Sequence, residues 1–179
     1  ALTDRGDDRR DHAYDTIKGS AFLGDLDAIE LMCREAGEEV ISMEHMGAIF
    51  NRDEEGKLGT RSFGGQRQAR TFFVADFTGQ ALLHVLYEQI IKSGVRVYEE
   101  WFVLSLIIDE GRCGGAILMD IRTGKIEVVR AKAVILATGG LGRVFEPSTN
   151  ALICTGDGMG LAYRAGAPLM DMEMVQYHP

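Results

Sequence analysis

The stretch GVRVYEEWFVLSLIIDEGRCGGAILMDIRTGKIEVVRAKAVILATGG, residues 94–140, decides the fold. After Gly94 the apolar spacing turns from helical to extended. Val95 to Ile108 predicts a strand, Asp109-Glu110-Gly111 a turn, Gly115 to Ile121 a strand, Thr123-Gly124 a second turn and Lys125 to Arg130 a third strand. Three short strands joined by tight turns make an antiparallel meander. Ala133-Val134-Ile135-Leu136-Ala137 follows without polar alternation, the pattern of a strand buried on both faces of a helix-covered parallel sheet. Thr138-Gly139-Gly140 ends that run. Meander followed by buried strand implies an α/β architecture.

Upstream the spacing is helical. Gln80 to Ser93 predicts a helix with Leu82, Leu83, Leu86, Tyr87 and Ile90 on one face and Gly94 as its terminator. His84 and Glu88 share the other face, and a solvated pair explains them better than a catalytic one. Asp25 is placed to cap a helix carrying Ala28, Ile29, Met32 and Cys33, expected to end near Gly37, with a further turn or helix to Gly47. His12 to Gly19 suggests a short helix, and Asn51 to Gly65, rich in glycine and charge, a loop or short hairpin.

Composition narrows the function. With 179 residues and 46% hydrophobic content the chain can bury a sizeable core, and 26% charge without low-complexity runs argues against disorder. Nineteen basic residues against 27 acidic ones give a net charge of -8, the wrong sign for a nucleic-acid surface. Cys33, Cys113 and Cys154 are scattered and show no ligand spacing, so neither a disulfide framework nor a metal site is assigned. No apolar run reaches the roughly 20 residues of a membrane span, so direct membrane insertion is not expected. The chain opens at Ala1 and stops at Pro179 directly after the apolar run Met170 to Tyr177, which reads as an internal piece of a longer polypeptide.

Three motifs carry chemistry. Ala137-Thr138-Gly139-Gly140 puts small residues at the carboxyl end of the expected sheet strand, where open α/β sheets admit ligands against the backbone; a plain strand-to-loop turn would read the same way. Thr155-Gly156-Asp157-Gly158-Met159-Gly160 precedes a helix, so its N–H groups and positive helix end suit a polar ligand. Asp157 can accept from ribityl or ribose hydroxyls, or cap the helix, or both. In His178-Pro179 the proline restricts the preceding residue, which suits an imidazole aimed at a carboxylate, although a structural His-Pro is common. No GxGxxG dinucleotide motif occurs.

These motifs together resemble the flavoprotein subunits of succinate dehydrogenase and fumarate reductase. The likeness runs through DTIKGS at 15–20, LGD at 23–25, FGGQ at 63–66, ADFTGQALLH at 75–84, ATGGLGRVF at 137–145 and NALICTGDGMGLAYRAGAPLMDMEMVQYHP at 150–179. The resemblance implies an α/β FAD-binding domain, Rossmann-like and of the glutathione-reductase type, with an antiparallel meander and incomplete at both ends. Residues 1–179 would be the central part of that domain, and a capping substrate domain would begin near or after 179. It implies FAD as cofactor and hydride transfer between succinate or fumarate and the flavin. Electrons would leave through an iron–sulfur subunit, with membrane anchor subunits holding the assembly peripherally on the cytoplasmic side of the inner membrane or on the mitochondrial matrix side.

Carried over residue by residue, the resemblance assigns Val103, Ala137, Thr138, Gly139 and Asp157 to FAD and His178 to a substrate carboxylate. The family's flavin-linking histidine, its Thr-Glu pair and its proton-delivering arginine match nothing in the chain, so no catalytic residue is assigned. Arg61, Arg67 and Arg70 are expected to serve structure or surface. L-aspartate oxidase shares the ATGG, TGDG and HP-type motifs and is the alternative enzyme, with the run from Arg70 to Leu83 and DTIKGS favouring the respiratory flavoprotein. A flavin-binding module without turnover is the alternative of a different class.

Overall fold

The computed structural model describes residues 6–175. The chain divides into two compact units, one up to Arg96 and one from Val97. The first unit holds α1 (Arg9–Gly19), α2 (Leu26–His45), the two-residue strands β1 (Thr60–Arg61) and β2 (Thr71–Phe72), and α3 (Thr78–Ser93). The second holds the strands β3 (Trp101–Asp109), β4 (Arg112–Asp120) and β5 (Ile126–Arg130), a 3-10 turn at Gly142–Val144 and α4 (Asp157–Arg164). Among the described residues no helix is long and apolar enough to cross a membrane.

Local capping chemistry sets the helix ends of the first unit. Asp8 caps α1, accepting from the N–H groups of Arg10 at 2.7 Å and Asp11 at 2.8 Å. Asp25 caps α2 through the N–H of Ala28 at 3.1 Å. Gly94, at φ 68°, closes α3 in the left-handed conformation that glycine adopts freely. Helix α2 does not stop near Gly37 but runs unbroken to His45. Glycine inside a helix costs about 1 kcal/mol. That cost is offset because the extra turns lay Val40 and Met43 on a core of Ala48, Phe50, Leu58, Val74 and Val85.

The same core corrects the face of α3. Ala81, Leu82 and Val85 are its packed residues, whereas Leu83, Leu86, Tyr87 and Ile90 are exposed. His84 and Glu88 are exposed too, as a solvated pair would be. Residues 51–65, expected as a loop or short hairpin, form a loop with an isolated antiparallel bridge, Arg52 to Leu58; β1 pairs with β2, antiparallel, beyond the FGGQ loop.

A buried ionic network ties α1 to the segment before β2. The Arg70 guanidinium donates two parallel bonds to Asp7, both 2.8 Å, and one of 2.6 Å to Asp15 on α1. Asp15 also accepts the backbone N–H of Arg67 at 3.0 Å and its Nε–H at 2.8 Å. The guanidinium of Arg67 reaches Asp11 as well and lies 4.6 Å from the ring centre of Tyr14. Arg67 and Arg70 are thus structural, as expected, and so is the aspartate of DTIKGS.

In the second unit the meander has the expected order, β3-β4-β5, all antiparallel. Its first strand starts at Trp101 rather than Val95, because Glu100 at φ 60° turns the chain there. Glu110 and Gly111, both at positive φ, make the first tight turn. In the second turn Asp120 accepts from the N–H groups of Arg122 and Thr123. Gly115, at φ 141° on β4, faces the carbonyl of Val129 so closely that any Cβ would overlap it. Gly115→Ala is expected to destabilise the protein by about 2–3 kcal/mol, from backbone strain plus displacement of β5. An unchanged urea midpoint would sink that expectation.

The run Ala133 to Ala137 is not the buried parallel strand its composition suggested. It pairs with no strand among the described residues, and Ile135 is 90% exposed. A strand of that kind owes its burial to neighbouring strands and covering helices, and none of the described residues supplies them. Among the described residues of this unit the buried apolar side chains are Leu118 on β4 and Leu161 on α4, with α4 packed on β3.

Candidate functional site

The site lies in the second unit, where three separate segments meet. Val103 sits near the start of β3, opposite Leu118. The ATGG segment follows the exposed apolar run. The loop after it is folded back by backbone bonds from Arg143 N–H to Cys154 O, 2.9 Å, and from Gly156 N–H to Gly140 O, 3.2 Å. The Arg143 side chain pins the same loop through Ser148 O at 2.7 Å. As a result the start of α4 comes to rest beside Thr138.

Gly158 permits that approach. A Cβ on it would penetrate the Thr138 hydroxyl and lie 2.9 Å from Thr138 Cβ. Gly156 ends the loop at φ 75° and stands as the N-cap of α4, so no side chain caps the helix. Asp157 is therefore the first helical residue rather than the cap that was the alternative reading. Its carboxylate falls in the first turn, where the helix dipole favours negative charge. The Thr155 hydroxyl donates to Asp157 Oδ2 at 2.6 Å.

Between these segments is a cavity of about 420 Å³, within the range of small-molecule sites. Val103, Ala137, Thr138, Gly139 and Asp157 all line it, so the five residues assigned to a cofactor from sequence share one wall system. Trp101, Phe102, Ile153, Cys154 and Leu161 complete the lining and were not assigned. Their adjacency to Val103 and to the TGDG motif was the available signal; the loop closure that brings Ile153 and Cys154 in depends on bonds invisible in the sequence. His178 lies outside the described residues. A slightly larger cavity, about 500 Å³, lies between α1 and α2 and contains none of the candidate residues.

The lining fits part of a flavin adenine dinucleotide. Apolar and aromatic side chains suit a flat ring, the 137–139 backbone offers close approach with Gly139 at φ 72°, and Asp157 is an acceptor for sugar-type hydroxyls. Among the described residues no cluster of His, Cys, Asp and Glu is arranged to hold a metal ion.

Comparisons with known proteins point to the same cofactor. A family described as FAD binding domain matches residues 1–179. The fumarate reductase flavoprotein subunit of Mycobacterium tuberculosis is 49% identical over 180 residues, covering all of this chain and 31% of that protein. The succinate dehydrogenase flavoprotein subunit of Rickettsia felis is 47% identical, over 97% of this chain and 30% of its own length. Among solved structures, an E. coli quinol fumarate reductase superposes with a TM-score of 0.96 at 38% identity, over the whole chain and 31% of that protein. The chain therefore spans about a third of the length of the relatives it matches. Its fold is that of their α/β flavin domain, and FAD is the cofactor. By a match over its entire length, this chain belongs to the FAD binding domain family.

Proposed function

We propose that the complete protein is the flavoprotein subunit of a succinate dehydrogenase or fumarate reductase and that this chain supplies its cofactor bed. The observation that carries this reading is the meeting of Val103, Ala137, Thr138, Gly139 and Asp157 around one cavity, in a chain 49% identical to a fumarate reductase flavoprotein subunit. In this reading 1–179 is the central part of the FAD-binding domain, with a capping substrate domain beginning near or after 179.

Bound FAD supplies a two-electron acceptor that takes hydride from succinate or returns it to fumarate. The chain's own residues bind and orient it. Asp157 accepts from hydroxyls of the ribityl or ribose chain, the 137–139 backbone lies along the cofactor, and Val103 packs near its adenine end. His178 donates to a substrate carboxylate. Electrons pass to an iron–sulfur partner, and anchor subunits hold the assembly to the membrane as a peripheral body.

The test is an assay of the full-length protein for succinate oxidation with a dye acceptor and for fumarate reduction with a reduced donor. Turnover of L-aspartate with neither of those activities would replace this reading. In the same protein His178→Ala should remove one charge-assisted hydrogen bond, about 1.5–3 kcal/mol, and so raise the KM for succinate roughly 10- to 100-fold with FAD retained. An unchanged KM would remove the assigned role.

A further inference from the structure

We propose that Thr155 is a positioning residue for flavin binding, acting through Asp157. The inference rests on the reading of the cavity as an FAD site and adds to it which hydroxyl sets the acceptor.

A carboxylate at the first position of a helix, half out in solvent, has free χ rotation and can turn either oxygen anywhere. Asp157 is such a residue: it is exposed, and α4 has no side-chain cap to engage it. Its one hydrogen bond among those described comes from Thr155, two residues back across Gly156. The distance, 2.6 Å, lies in the short range of hydroxyl-to-carboxylate bonds, which are stronger than neutral ones. Thr155 Oγ1 also lies 3.4 Å from the carbonyl of Ile153. A hydroxyl has a single proton, and the shorter, charge-assisted partner takes it.

Two consequences follow for a ligand in the cavity. Oδ2 of Asp157 is held, which leaves Oδ1 as the acceptor for a ligand hydroxyl. The rotamer is also set before the ligand arrives, so its ordering cost is not charged to binding. Thr155 suits this role because β-branching restricts its own χ1. The left-handed Gly156 between the two residues supplies the bend that brings hydroxyl and carboxylate together.

The test titrates FAD into flavin-free, full-length protein and follows quenching of flavin fluorescence. Thr155→Val, which keeps the shape and removes the proton, should weaken FAD binding about 5- to 10-fold, the equivalent of one supporting hydrogen bond. Thr155→Ser should restore most of it. Asp157→Ala should weaken binding more, and Thr155→Val added to Asp157→Ala should cost nothing further, because a residue acting through another is silent once that other is gone. The melting temperature of the flavin-free Thr155→Val protein should match that of the parent. Full affinity in Thr155→Val alongside a loss in Asp157→Ala would overturn the positioning role and leave the FAD site standing. Full affinity in Asp157→Ala would instead overturn the site reading beneath it. Additive losses in the double variant, or a lowered melting temperature in Thr155→Val, would make Thr155 structural and also overturn the proposal.

Discussion

Replacing Arg70 with methionine is expected to cost about 3–5 kcal/mol of folding stability, the usual effect of removing one member of a buried ionic group. The methionine would fill much of the space and leave Asp7 and Asp15 with no counter-charge from that side. Arg70, Asp7 and Asp15 are each at most 8% exposed, so water cannot take over the role of the guanidinium. Arg67 would still serve Asp15, which makes Asp7 the more damaged partner. Urea denaturation of the full-length protein measures the loss, and a change below about 1 kcal/mol would mean the network is solvated like a surface pair.

The same network fixes the sign of a pH dependence. Burial opposes ionisation of Asp15, but the Arg67 N–H and the guanidinium groups of Arg70 and Arg67 outweigh it and hold the carboxyl well below the usual carboxylate range. Asp7 is lowered too, chiefly by its bonds from Arg70. For both groups the unfolded chain binds protons more readily than the folded one. Their contribution is complete above the ordinary value of 3.8 and is lost as pH falls through the lower folded values. His12 adds a step of the same sign at higher pH. Burial pushes its imidazole below the ordinary 6.5, and its Nδ1 has no hydrogen-bond partner among the described residues. Stability should therefore decline as pH drops below 6.5 and fall again in the carboxylate range. In Arg70→Met the lower step should shrink, since the bonds that depress Asp7 are gone.

Gly158→Ala should weaken flavin binding roughly 30- to 100-fold, the equivalent of about 2–3 kcal/mol of overpacking. The new methyl group would meet Thr138 at its hydroxyl, its methyl and its Cβ together. Rotating Thr138 about χ1 cannot clear its own Cβ, so the backbone of α4 or of 137–139 must move. Either movement shifts Asp157 relative to the ATGG segment, and both line the cavity. Flavin content of the purified full-length variant, measured by absorbance, reports the loss. Adding Thr138→Ala should recover part of it by removing the hydroxyl and methyl. Undiminished flavin content in the single variant would mean that the contact between α4 and Thr138 is dispensable.

Much of this protein was legible along the chain because much of it is local. The caps at Asp25 and Gly94, the turns at Glu110-Gly111 and after Asp120, and the meander order all depend on residues within a few positions of one another. So does Gly156 before α4. Ala137, Thr138, Gly139 and Asp157 were assigned through motifs that carry the family resemblance and Val103 through its matching strand position, and the fold places all five around one cavity. What failed in the reading failed for tertiary reasons. Gly37 looked like a helix end because its propensity is poor, but the burial of Val40 and Met43 decided the matter. The wide apolar face of α3 could not reveal that only Ala81, Leu82 and Val85 would find a core. Ala133 to Ala137 carries the composition of a buried strand, yet burial is conferred by neighbours and not by composition. Arg70 meets Asp7 and Asp15 across 63 and 55 residues of chain, and no spacing rule predicts such a pairing. Residue chemistry and short-range geometry thus determined the local elements, and the family resemblance named the candidate site residues, while solvent exclusion and long-range contact decided which faces are buried, which charges pair and how Thr138 and Asp157 come to line one cavity.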